Sequence, residues 1–219
     1  MNAYVGQTAD FVRMQLAEAE AGHDWWHILR VWNNVKLLLT HQPAVDSLVC
    51  ELAALLHDIA DSKFHDGDET TGPRIATTYL REIGVDEARV SHVAEIIRNM
   101  SYRSGLEGTV TFRSPEMEIV QDADRLDAIG AIGIARAFHY GGFKNRELYN
   151  PEIPPTKYPD KASYQRSTAP TINHFYEKLL LLKDQMNTPA ARMLAAQRHA
   201  FMEQYLSQFM AEWQGLPDQ

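Results

Sequence analysis

A chain of 219 residues has room for one domain with a sizeable buried core, and its 45% hydrophobic and 23% charged residues are ordinary for a soluble globular protein. The net charge of −8 excludes a surface built to bind a nucleic-acid polymer, but not a small phosphorylated substrate neutralised by local cations or a metal. No apolar run reaches the roughly 18 residues of a membrane span, MNAYVGQTAD lacks the features of a signal peptide, and the lone Cys50 can form no internal disulfide, so a cytoplasmic protein with no membrane partner is expected.

In chain order, helical periodicity dominates. Ile28, Val31, Trp32, Val35, Leu38 and Leu39 follow Asp24 at the spacing of an amphipathic helix. A second helix starts near Asp46 and carries Leu48, Leu52, Leu55, Leu56 and Ile59. Gly72-Pro73 opens a third, which Gly84 closes as a C′ residue, and Asp86 caps a fourth with Val90, Val93, Ala94 and Ile97 on its inner face. Ser114-Pro115 pairs a cap with a first-turn proline, and the pattern then continues from Met117 to about Phe138. Further helices are expected from Thr171 to Met186 and from Thr188-Pro189 to near Trp213. No strand alternation, repeat or low-complexity tract interrupts this reading, and the fold class is all-α.

One stretch departs from the pattern. Residues 139–170 contain Pro151, Pro154, Pro155, Pro159 and Pro170, adjacent glycines at 141 and 142, and five basic residues (Lys144, Arg146, Lys157, Lys161, Arg166) against three acids. Helices resume after it, so it reads as one long irregular loop within a single domain of residues 1–219. The expected organisation is a core over about 20–138, the loop 139–170, and C-terminal helices over 171–213. With Tyr149, Tyr158 and Tyr164 interleaved among its cations, the loop is expected to border a substrate pocket; a solvated connector is the alternative.

Three short motifs carry chemistry. His57-Asp58 follows Leu55 and Leu56 at the end of the second helix; alone, it is an ordinary helix end meeting solvent. Met117, Val120, Asp124, Asp127 and Ala131 recur at spacings of three or four, which places two carboxylates on a stripe that begins apolar. Such carboxylates are costly unless paired, protonated or metal-bound; the alternatives are rotation to the surface or neutralisation by Arg125 and Arg136. The third motif, HDWWHILRV, puts His27 beside the buried stripe of its helix, where a lone histidine would be structural.

Together the ordered set H…HD…D, from HDWWH (23–27) through HDIAD (57–61) to DADRLDA (122–128), resembles the HD-domain metal-dependent phosphohydrolase superfamily. The segment 172–188 and the last long helix are similar to small bacterial HD nucleotide (pyro)phosphohydrolases. The resemblance implies a single-domain helical bundle of the HD type with metal ligands at His27, His57, Asp58 and Asp124, the last chosen over Asp127 by the D-R-L-D pattern. Such a mixed N/O site takes one divalent ion, with Mn²⁺ favoured among Mn²⁺, Co²⁺, Fe²⁺, Ni²⁺, Zn²⁺ and Mg²⁺. It further implies Asp61 as the catalytic base, a solvent-facing helix-end acid being the alternative. From their positions, Lys63 is expected to contact phosphate or to be an ordinary surface lysine, and Arg30, one turn after His27, to hold either a substrate phosphate or a carboxylate behind the ligands. The implied substrate is a nucleotide, with a nucleoside triphosphate cleaved to monophosphate and pyrophosphate as the specific reaction. The rival readings are a non-catalytic module that senses a nucleotide and a di-iron HD oxygenase. The second would need two further histidines; of the two available, His65 and His92, His65 stands too close behind the HD pair in sequence.

Overall fold

The computed structural model describes residues 2–17, 24–59, 70–100, 112–157, 163 and 166–216. Among them every regular element is a helix, and no helix is long and apolar enough to cross a membrane. The chain groups into two compact units, residues 1–124 and 125–219.

The first unit is built on α1 (Ala3–Gln15), α2 (Trp25–Leu39), α3 (Ser47–Leu56), α4 (Thr71–Glu82), α5 (Glu87–Asn99) and most of α6 (Pro115–Asp127). The most apolar of these, α3, buries Val49, Cys50 and Leu52 through Leu56 and packs against α1, α2 and α5. A helix apolar on nearly all sides belongs at the centre of a bundle. α2 presents a narrower stripe of Ile28, Val31, Val35 and Leu38, all fully buried. Helix starts follow local chemistry: the carboxylates of Asp24, Asp46 and Asp86 each accept backbone N–H groups of the first turn, and Ser114 Oγ accepts from Met117 N–H. Asp46 also ties neighbours together, since its own N–H donates to Glu116 Oε1 (3.0 Å) and its second carboxylate oxygen accepts from Arg89 Nε (2.8 Å).

The second unit contains the end of α6, α7 (Gly130–Phe143), α8 (Thr171–Glu177), a 3₁₀ turn (Leu179–Gln185) and the long α9 (Pro189–Trp213). Around the buried Phe175 it carries an aromatic cluster: Phe138, Phe175, Tyr205 and Phe209 lie with ring centroids about 6 Å apart, the ordinary spacing of interacting rings.

Three expectations are corrected. The helix expected to run from Met117 to Phe138 breaks at Gly130, whose φ of +76° only glycine adopts without strain, and α7 begins there. α7 then continues through both glycines to Phe143, so the irregular stretch begins at Lys144 rather than His139; Gly141 is where the helix meets the Thr171 side chain, with no room for a Cβ. Finally, the Thr171–Met186 helix is α only to Glu177 before tightening to 3₁₀. α1 is an additional helix that the periodicity reading did not include.

Candidate metal centre

Four side chains from three segments of the first unit converge. His27 lies in the first turn of α2, where its backbone N–H is held by the Asp24 cap at 3.0 Å. His57 closes α3 and Asp58 follows in the turn; Asp124 comes from α6. His27 Nε2 is 3.6 Å from Asp58 Oδ2 and 3.5 Å from Asp124 Oδ1, and His57 Nε2 is 3.7 Å from the same Asp58 oxygen. Ligand atoms of His27, His57 and Asp124 all lie within 4.8 Å of one another. The imidazoles form the buried floor (2% and 4% exposed), whereas Asp58 and Asp124 open to solvent (23% and 42%). The cluster is therefore anchored on one side and accessible on the other.

The proton arrangement of His57 follows from one contact. Its Nδ1 lies 2.8 Å from the Ala54 carbonyl, which can only accept, so Nδ1 carries the hydrogen and Nε2 presents its lone pair to the cluster. That is the tautomer an ion requires of an imidazole ligand, fixed by a backbone carbonyl in the usual way. The spacings fit as well. Two atoms each about 2.1 Å from one ion can be no more than about 4.2 Å apart, and the His27–Asp58, His27–Asp124 and His57–Asp58 separations of 3.5–3.7 Å satisfy this while exceeding a normal hydrogen bond. Two carboxylates and two imidazoles drawn together at these distances suit a divalent cation.

Asp127 belongs elsewhere. It is 2% exposed and ion-paired with Arg136, which also donates to the Asp127 backbone carbonyl. The neutralisation foreseen for this stripe thus applies to Asp127, while Asp124 turns to His27. Arg30 sits partly buried one turn after His27 on α2. Asp61, Lys63 and His65 fall outside the described residues. His92 lies 2.9 Å from Ser114 Oγ and 3.6 Å from Glu116, and packs edge-on against Phe112 at the start of α6.

Sequence reasoning missed Asn34. It falls on the α2 stripe at 27, 31, 34 and 38, is 9% exposed, and donates from Nδ2 to the Ala123 carbonyl at 3.0 Å. The available signal was an amide occupying a place in an otherwise apolar seam.

Comparison with known proteins gives a consistent assignment. The HD-domain family model matches residues 25–129, a span that contains all four converging residues. YpgQ of Bacillus subtilis, an uncharacterised protein, is 37% identical over 212 residues, covering 96% of this chain and 94% of YpgQ. The chain belongs to the HD-domain family. An HD-superfamily hydrolase from Bacillus thuringiensis has a crystal structure that matches with 44% identity and a TM-score of 0.74 over 96% of both chains. A Lactobacillus plantarum protein superposes with a TM-score of 0.83 at 33% identity, covering 98% of each chain. YpgQ has also been crystallised in complex with ADP, and that structure matches at 35% identity with a TM-score of 0.74, covering 95% of this chain and 94% of YpgQ. Within the span matched by the HD-domain family model, this chain brings His27, His57 and Asp124 close enough together to hold a metal ion.

Proposed function

We propose that this protein is a metal-dependent phosphohydrolase acting on a nucleotide, with one divalent ion, Mn²⁺ in preference, held by His27, His57, Asp58 and Asp124. The approach of ligand atoms of His27, His57 and Asp124 to within 4.8 Å of one another, with Asp58 3.6–3.7 Å from both imidazoles, on a buried floor that opens to solvent, is the observation that carries the reading. The ADP complex of YpgQ supports a nucleotide as the ligand class. When bound, such an ion acidifies its water and neutralises charge on a phosphoryl oxygen.

The protein's own groups do the rest. The Ala54 carbonyl keeps the His57 lone pair on Nε2, and the Asp24 cap fixes the turn that carries His27. Asp61, three residues beyond Asp58, is the proposed general base that takes the proton of the attacking water, a role contributing about 10²–10⁴-fold in rate. Lys63 and Arg30 are the proposed phosphate contacts, the first as a point charge and the second as a planar donor. Hydrolysis of a nucleoside triphosphate to monophosphate and pyrophosphate is the specific reaction proposed, in a cytoplasmic protein.

The test is metal analysis of the purified protein followed by a release screen over nucleotides with added Mn²⁺. Pyrophosphate without orthophosphate from a triphosphate supports the specific reaction, and orthophosphate alone supports hydrolysis of a terminal phosphoryl group. Tight nucleotide binding without turnover would instead identify a nucleotide-sensing module, a reading with which bound ADP in a relative is also compatible. Asp61→Asn is expected to retain the metal and lose about 10²–10⁴-fold in kcat. Loss of metal in that variant would move Asp61 among the ligands.

A further inference from the structure

We infer that Asn34 is a positioning residue for the metal centre: its amide sets the register of α2 against α6 and so holds His27 and Asp124 at ligand spacing. The inference rests on the proposed metal site and concerns a residue that itself touches no substrate or ion.

His27 and Asn34 are seven residues apart on α2. Seven residues at about 100° each return to within about 20° of the starting direction, so the two side chains leave the same face of the helix. On α6, Asn34 meets the carbonyl of Ala123, the residue immediately before Asp124. One hydrogen bond of 3.0 Å therefore joins the face of α2 that bears His27 to the peptide that leads into Asp124. The 3.5 Å between His27 Nε2 and Asp124 Oδ1 is measured between the same two helices, about two turns away along α2.

Apolar packing does not fix such a register by itself. Val31, Val35 and Leu38 of α2, and Ile119, Val120 and Ala123 of α6, are fully buried, but burial of apolar side chains is non-directional and tolerates small axial slips. An amide in an apolar seam specifies one alignment, because slipping would strand a buried donor. The cost of placing Asn34 there is thus explained by geometry elsewhere on the same face. α2 is tied independently to α3 by the Trp32 indole N–H donating to Glu51 Oε2 at 2.8 Å, so Asn34 governs the α6 side of the centre.

The experiment compares Asn34→Leu with Leu38→Ala in the full-length protein, measuring Mn²⁺ affinity by calorimetry at 20 °C and Tm for each apoprotein. Leu38 is fully buried on the same helix, farther from His27, and its truncation is a matched core defect. Asn34→Leu is expected to weaken Mn²⁺ binding about tenfold, as loss of a group supporting a ligand does. Leu38→Ala is expected to lower Tm at least as much while leaving Mn²⁺ affinity within about twofold of the parent protein. If Asn34→Leu does not fold, Asn34→Ala, which removes the amide without adding bulk, is measured instead. Unchanged Mn²⁺ affinity in the folded Asn34 variant, or losses that merely track Tm in both, would overturn the inference. His57→Ala is the control that separates this outcome from a wrong site: if it also keeps full Mn²⁺ affinity, the metal-centre reading fails first.

Discussion

Two sets of charged side chains, one in each compact unit, are arranged in opposite ways. In residues 125–219 cations are settled by oxygen partners: Arg125 donates to the Gln185 carbonyl, Arg146 to Ser167, Arg192 to Met186 and Asn187, Arg198 to Leu126, and Arg136 to the Asp127 carboxylate. In residues 1–124 the carboxylates of Asp58 and Asp124 instead gather round imidazole nitrogens, at distances longer than a hydrogen bond. Charged groups that close onto backbone carbonyls hold a fold together; charged groups that surround a common point without closing onto one another suit an ion. The contrast recurs within one turn of α6, where Asp124 points to His27 and Asp127 to Arg136.

The sharpest break in this contrast comes from the ligand side. His57→Ala and Asp58→Ala are expected to weaken Mn²⁺ binding by more than about 100-fold, beyond the 10–100-fold typical of supporting groups, and to reduce hydrolysis to background. Far-ultraviolet circular dichroism should stay helical, because both residues lie beyond the last turn of α3. Full activity in either variant, with metal supplied, would remove the site assignment.

Next in size is the pair on α6. Asp124→Asn should lose the ion with little change in stability, since its side chain is 42% exposed. Asp127→Asn should keep the ion and lose about 3 kcal/mol of stability, the scale for breaking a buried ion pair and leaving Arg136 uncompensated. Urea unfolding beside Mn²⁺ titration reads both effects. A reversal of the two phenotypes would shift the ligand by one helical turn.

What the sequence made legible, and what it hid, divides along similar lines. Caps and terminators are local chemistry, so Asp24, Asp46, Asp86 and Gly84 could be read directly; Gly84 indeed adopts φ +82°. The residues of the candidate metal centre stand out in the sequence as a family pattern, while their convergence depends on how the segments that carry them fold together, which no spacing contains. The break at Gly130 was hidden because apolar periodicity runs on through Leu126, Ile129 and Ile134. The break itself is the φ of +76° at Gly130, where the Arg198 side chain, bonded to the Leu126 carbonyl, also passes close by. Asn34 was hidden for a different reason. An amide on an apolar stripe reads as a flaw until its partner on another helix is known.

The smallest effect concerns a histidine whose charged neighbours are cations, the inverse of His27 and His57. Burial first, then the positive charges of Lys178 and Arg146, push His174 down to about 3 from its ordinary 6.5. The folded chain keeps this imidazole neutral over a range in which the unfolded chain takes up a proton. Between pH 6.5 and about 3 the unfolded state therefore binds more protons, and stability rises with pH. The contribution is fully present above pH 6.5 and is lost as the pH falls toward 3. At pH 5 the loss comes to about 2 kcal/mol. Exposed carboxylates such as Asp86 and Glu87, held below their ordinary range by hydrogen bonds to Arg89 and Arg81, stay ionised from pH 7 to 5 and do not obscure it. His174→Gln should unfold in urea with a smaller drop in stability between pH 7 and pH 5 than the parent, by about that amount. Parallel pH slopes for the two proteins would mean that the imidazole takes up its proton in the folded chain as readily as in the unfolded one, and that the cationic surroundings of this unit do not hold it neutral.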